Sequence, residues 1–240
     1  MAFNFVDGAF YLTTTPVIEP PFTISCWFDY STENQGHMVS LHDFSAVELM
    51  NLSMHIDSAN VFSAGAWDGS PWDHATVSGL STNTLYHGCG VYTTTTHRRA
   101  IINGDWAGSG VNTNLSSPTG IDRIAIGAQY YFDNRAEYHE GMVAEVAVWN
   151  AALTQGEVEA LAAGYSPLFI RPASLAFYAD MVRDVKDLIT GVVLTEDGTS
   201  PTVVEHPRII RPSGQILQFP LAAPVGGGDI VIDIPTGPLW

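Results

Sequence analysis

Five side chains in one short stretch have the chemistry to hold a polar, ring-shaped ligand. Trp67 and Trp72 flank Asp68, Asp73 and His74 in AWDGSPWDH, residues 66–74. An indole offers a flat apolar surface, and carboxylates beside it offer hydrogen-bond acceptors. That pairing suits a sugar, which has C–H groups on one face and hydroxyls around its rim. The same tryptophans could instead pack onto the body of the fold, since aromatic rings remove large areas from water. A second group, Asp133, Asn134 and Glu137, supplies the hard oxygens that calcium takes. Asp-rich segments also form ordinary turns. His37 and His42 are five residues apart with no third ligand in pattern, so a zinc site is not indicated.

Catalysis finds less support. Retaining glycoside hydrolysis needs two carboxylates about 5 Å apart. Glu145 has no carboxylate partner on its strand, because Val146, Ala147, Val148 and Trp149 follow it. A buried acid bonded to backbone is the expected role. A G-x-S-x-G elbow, a phosphate-cradling glycine loop and a dinucleotide fingerprint are all missing from the sequence. The chain is expected to be non-enzymatic.

The elements that carry these residues are legible as alternations. Gly141 to Gly164 divides into a strand and a helix. Met142 to Trp149 is small, β-branched or aromatic, with Val146 and Val148 on one face and Glu145, Ala147 and Trp149 on the other. Thr154 and Glu157 form an S/T-x-x-E capping box, which starts a short helix over about 155–163. Val158 and Leu161 are its apolar stripe, and Gly164 closes it. FTISCWFDY, from Phe22 to Tyr30, alternates cleanly and predicts a strand. Further strands are expected at 37–41, 48–56, 59–65, 85–92, 98–103 and 121–127, with a hairpin turn at Asn103-Gly104. Residues 16–21, 66–74 and 130–140 are expected to be turns or loops.

These segments, in this order, resemble laminin-G-like (concanavalin A-like) jelly-roll domains. The closing strand and helix of that family read G-x-I-D-E-V-R-I-Y-N-x-A-L-S and then E-x-x-x-L. Gly141, Val143, Glu145, Val146, Val148, Trp149, Asn150, Ala152, Leu153, Thr154, Glu157 and Leu161 match it, and Ala144 and Ala147 depart. Phe22 to Trp27 is similar to the family's F-T-I-S-A-W, with Cys26 for alanine. Phe5, Gly8, Phe10 and Leu12, within the 3–12 strand, resemble its F-D-G strand. The resemblance covers most of residues 1–165. It implies an all-β antiparallel jelly-roll sandwich. It also implies that the glucanase pattern E-x-D-x-x-E, if present, would mark catalysis, and this chain lacks it.

The family's opening strand and D-x-x-G loop have no counterpart before Phe3. Leu175, Phe177 and Tyr178 look like that strand, Asp184 to Gly191 like the loop, and 192–194 and 203–204 like the strands after it. A circular permutation is expected, with residues 1–165 as the sandwich and 166–207 completing it. The alternative is that 166–207 completes a neighbouring subunit. Residues 208–240 are a Pro/Gly-rich extension. Ile230, Ile232 and Ile234 alternate on one face, and Trp240 ends the row. A lone strand is unstable, so these residues are expected to bind a partner, as in a homo-oligomer or a capsid or tail assembly.

Composition narrows the partners. The net charge is 9 − 25 = −16, and Lys186 is the only lysine. Nucleic acid and anionic membranes need cationic surfaces, so both are disfavoured. Cys26 and Cys89 sit in apolar strands and are expected to be buried thiols. MAFNFVDGAF lacks the pattern of a signal peptide, which predicts synthesis in a cytosol. The resemblance extends to jelly-roll domains on bacteriophage virions. It therefore implies a non-catalytic virion subunit, in capsid decoration or tail, made in a host cytoplasm. The other expectation is a carbohydrate-binding module for surface glycans, cytoplasmic or displayed at a cell surface. No cofactor is expected beyond calcium, the one ion the pattern leaves open.

Overall fold

Alternation of apolar and polar residues builds most of the molecule, and β3 (Phe22–Phe28) shows how. Phe22, Ile24, Cys26 and Phe28 face the core, while Ser25 and Thr23 point the other way and bond to neighbours. The structure, a computed structural model, describes residues 2–6, 8–31, 36–43, 50–57, 59–68, 73–113, 120–131, 134–182 and 185–211. Ile230, Ile232, Ile234 and Trp240 lie outside the described residues.

Two large antiparallel sheets face each other. The first runs β10 (Gly110–Asn112), β9 (Arg98–Ile102), β8 (Tyr86–Tyr92), β3, β14 (Gly141–Trp149), β1 (Ala2–Phe5) and β17 (Thr202–Val204). The second runs β16 (Thr195–Gly198), β2 (Ala9–Ile18), β11 (Ile121–Ile126), β4 (Gly36–His42), β5 (Met50–Ile56), β6 (Phe62–Asp68) and β7 (Asp73–Val77). Val143, Val146 and Val148 of β14 share one core with Val39, Leu41, Met54, Phe62, Ile124 and Ile126 of the second sheet. Each such side chain contributes about 2 kcal/mol by leaving water.

β14 is the hub of the first sheet. β3 takes one of its edges. The other edge is shared end to end: Phe3 pairs Val143 and Phe5 pairs Gly141, while β15 (Leu175–Ala179) pairs Val146 through Trp149. Gly141 is required where it stands, at φ +147°. A Cβ there would lie 2.4 Å from the Asp29 carbonyl oxygen. The capping box forms as the sequence predicts, and α1 (Gln155–Ala162) lays Val158 and Leu161 against Trp149, Val91 and Ile101 on the outer face of the first sheet. Gly164 closes it at φ +89°. Asn103 and Gly104 both take positive φ, as a tight turn of mirror type demands.

Several expectations need correcting. The 3–12 strand is two strands, β1 and β2, that belong to different sheets. β2 runs on through Pro16, so the turn is shorter than 16–21. The register slips between Ile121 and Arg123, opposite the Pro16 stretch, because proline has no N–H to give a ladder. Residues 66–74 are not all loop: Ala66–Asp68 end β6 and Asp73–His74 begin β7, a hairpin concealed by Gly69, Ser70 and Pro71. The 59–65 strand starts later, at Phe62. The 130–140 segment contains a small hairpin of β12 (Gln129–Tyr131) and β13 (Asn134–Ala136). Residues 192–194 give only a bridge, Val193 to Lys186.

Candidate functional site

The predicted indole–carboxylate cluster is spread over two strands. Trp67 and Asp68 end β6 and Asp73 begins β7, while Trp72 lies outside the described residues. Strand pairing separates them further. Trp67 pairs Asn51, Asp68 pairs Met50, and Asp73 pairs Ala66. Adjacent residues of a strand alternate between faces. Trp67 therefore stands in the row opposite to that of Asp68 and Asp73.

The row that contains Trp67 is informative. Across the second sheet it reads Thr14, Arg123, His42, Asn51, Trp67. Its neighbours Ile124 and Leu41 belong to the core, so this row lies on the outer face. Thr14 is exposed and Arg123 half-buried, with Arg123 Nη1 3.5 Å from Asp122 Oδ2. His42 is buried. Burial and the Arg123 charge push its pKa down to about 4, partly offset by Asp122 and Asp43. At neutral pH its imidazole is uncharged, with one donor and one acceptor nitrogen. The five residues of the row come from five strands, and no local motif could announce their alignment.

Farther along the same face, residues 127–131 and 134–140 fold over the sheet. Ser40 Oγ donates to Ala128 O at 3.1 Å, and Phe10 lies against Tyr138. Beneath it is a line of imidazoles. His37 stacks on His55 at 4.7 Å, and His55 meets His74 edge-on at 4.8 Å. Glu137 holds this cover in place, with Oε2 2.7 Å from His37 Nε2. The calcium reading does not gain from this geometry. Asp133 lies outside the described residues, Asn134 is in β13, and Glu137 is engaged by a histidine. Among the described residues, no group of three or more His, Cys, Asp or Glu side chains is placed to hold a metal ion.

Glu145 is a structural hub, but not through the backbone bonds expected. It sits in a bulge of β14 between Ala144 and Ala147, at φ +54°. Tyr178 Oη donates to Oε2 at 2.6 Å, Arg211 Nη2 donates to Oε1 at 2.9 Å, and His206 Nε2 lies 3.1 Å from Oε1. Arg211 also reaches Asp180 Oδ2 at 3.0 Å. Burial alone would lower the His206 pKa. The Glu145 hydrogen bond, the carbonyls of Pro207 and Asp180, and the Glu145 charge overcome it, so the net shift is upward. Glu145→Gln removes the charge that two cations share. We expect a loss of about 2–3 kcal/mol in chemical denaturation. The variant's His206 should titrate lower by NMR. Unchanged stability and titration would remove Glu145 from this role. The sign is fixed by linkage: a raised histidine pKa stabilises the fold below the ordinary value of 6.5. That contribution is lost as pH rises through the raised value.

A hydroxyl–imidazole pair, Ser25 Oγ and His87 Nε2 at 2.8 Å, has the reach of a nucleophile and base. Both are buried, His87 Nδ1 has no hydrogen-bond partner to orient it, and burial pushes the imidazole down to about 3. The pair is closed off from solvent in the interior of the fold. Cys26 and Cys89 are free buried thiols whose pKa burial pushes up.

Fold and motif converge on one class. Residues 7–159 match the concanavalin A-like lectin/glucanases superfamily, and the chain belongs to that family. No curated protein sequence matches the chain. Among solved structures, a carbohydrate-binding protein described as putative, from Bacteroides ovatus, is similar over 87% of this chain at 20% identity and TM-score 0.57. The chain spans 61% of that protein. A heptameric SAP-like pentraxin from Limulus polyphemus is similar over 67% of this chain and 80% of its own, at 17% identity and TM-score 0.52. At these identities the likeness is one of fold. Among the described residues, no helix is long and apolar enough to cross a membrane.

Proposed function

We propose that the chain is a non-catalytic carbohydrate-binding module, with its sugar site on the outer face of the second sheet. The observation that carries this reading is the row Thr14, Arg123, His42, Asn51, Trp67. It sets an exposed hydroxyl and a half-buried guanidinium beside a buried, neutral imidazole, in one line that ends at an indole position. Asp43 and Asp122 stand beside it as acceptors. Sugar sites need few, well-placed polar groups next to an aromatic surface. Trp67 keeps its role from the sequence, whereas Asp68 and Asp73 belong to the opposite row and Trp72 lies outside the described residues. A glycan array with and without calcium tests the reading. Retention of a defined glycan set supports it, and an empty array contradicts it.

A structural role in an assembly is the second reading. Tyr165, Leu168, Phe169 and Ile210 are exposed and apolar, and they lie beside the point where residues 212–240 begin. Arg211 is clamped there by Glu145 and Asp180. In this reading Ile230, Ile232, Ile234 and Trp240 dock on a partner, and residues 166–207 are the permuted opening strands. A virion subunit is its particular form. Light scattering of the full chain and of a chain ending at Arg211 decides between them: loss of an oligomer on truncation supports assembly, and an unchanged monomer opposes it.

A further inference from the structure

The sandwich opens at one edge, where β1 and β2 meet residues 185–196. A cleft of about 510 Å³ lies there, lined by Phe3, Tyr11, Val185, Lys186, Val193, Leu194 and Glu196. Phe3 and Tyr11 come from the first two strands. The opposite wall is a hairpin in which Lys186 bridges Val193 and the Leu194 N–H donates to the Val185 carbonyl at 2.9 Å. Asp187 makes that wall rigid. Its buried carboxylate accepts the N–H groups of Tyr178, Ile189 and Thr190, and the Thr190 hydroxyl.

The charges in the cleft are not equivalent. Glu196 is already occupied: Tyr11 Oη donates to Oε2 at 3.2 Å and Ser200 Oγ donates to Oε1. Lys186, the only lysine of the chain, has no ion-pair partner among the described residues. Lys186 is half-buried and lines the cleft together with Phe3, Val185, Val193 and Leu194, which sets one cation against an apolar wall. Pockets of this size with few polar groups bind small molecules.

We propose that this cleft binds a small carboxylate with an apolar face, its carboxylate on Lys186 Nζ and its apolar face against Phe3 and Val193. An acidic sugar and a free aliphatic or aromatic acid share that chemistry. The site is on the edge of the sandwich, apart from the outer-face row, and stands or falls independently of it.

The single lysine makes the test direct. Full-length protein labelled with ε-¹³C-lysine gives one Cε resonance. Glucuronate and phenylacetate are titrated separately, with glucose, phenylethanol and acetate as controls. The expected result is a saturable shift with at least one of the two acids, and weaker or no response to the controls. The stronger of the two identifies the source. By calorimetry, Lys186→Gln weakens binding about tenfold, and Lys186→Arg retains most of it. The Lys186→Gln variant's unchanged thermal unfolding excludes a folding defect. No shift with either acid, or equal binding by neutral controls and by Lys186→Gln, overturns the proposal.

Discussion

A chain ending at Gly164 does not fold. Truncation there removes β15, β16 and β17 and leaves the Val146–Trp149 half of β14 with a bare edge. It takes Ala176, Phe177, Ala179 and Leu194 out of the core between the sheets, and Ile170, Leu175 and Tyr178 from the layer under α1. It also deprives the Trp149 indole N–H of the Ile170 carbonyl, its acceptor at 2.7 Å. Loss of one large buried side chain costs about 3–5 kcal/mol, and an entire domain is stable by only about 5–15 kcal/mol. Several such losses together exceed that margin. The truncated chain should lack cooperative thermal unfolding, and adding a peptide of residues 165–211 should restore some of it. A truncated chain that melts as the full one does would show that residues 166–207 are an appendage.

Acid should unfold the full chain near pH 4–5 by the same arithmetic of small margins. His42, His55, His87 and His139 are held below the ordinary histidine range, in each case first by burial. The Arg123 charge adds to it at His42, neighbouring imidazoles add to it at His55, and His37 adds at His139. At His139 backbone hydrogen bonds with Asp29 and Met142 oppose the shift. The folded state therefore binds fewer protons than the unfolded chain below pH 6.5. Stability is independent of these groups above that value and falls beneath it, toward their folded values of about 4 for His42 and His139 and about 3 for His87. Each group contributes a slope of about 1.4 kcal/mol per pH unit. His206 works in the opposite direction, because its raised pKa favours the fold in acid. Denaturant titrations from pH 7 to 4 read the slope. His87→Gln, which keeps an amide near Ser25 Oγ, should reduce it by one group's share. A flat profile would contradict the burial of these rings.

What the sequence made legible was local. FTISCWF alternates with period two because one face meets the core, and the Thr154–Glu157 box needs only three residues of spacing. Both were readable without a fold. The β6–β7 hairpin was not, because Gly69, Ser70 and Pro71 mask the strands on either side of it. Glu145 was recognisable as a buried acid, yet Arg211 is 66 residues away and is brought to it only by the return of the chain. The bulge that gives Glu145 its left-handed conformation breaks the period of two, since Val143 and Val146 both face the core three residues apart, but only the register shows that the extra residue is accommodated at Glu145. The outer-face row is the extreme case. Thr14, His42 and Arg123 come from three strands, and only sheet order sets them in line.

That row is the centre of the functional account. Equilibrium titration of an array-selected glycan into the native chain, Trp67→Ala and Arg123→Ala tests it most directly, with thermal unfolding as the check on folding. We predict that both variants fold normally and bind at least about tenfold more weakly. Normal folding with undiminished glycan affinity in both would contradict the placement of the sugar site on the outer face of the second sheet.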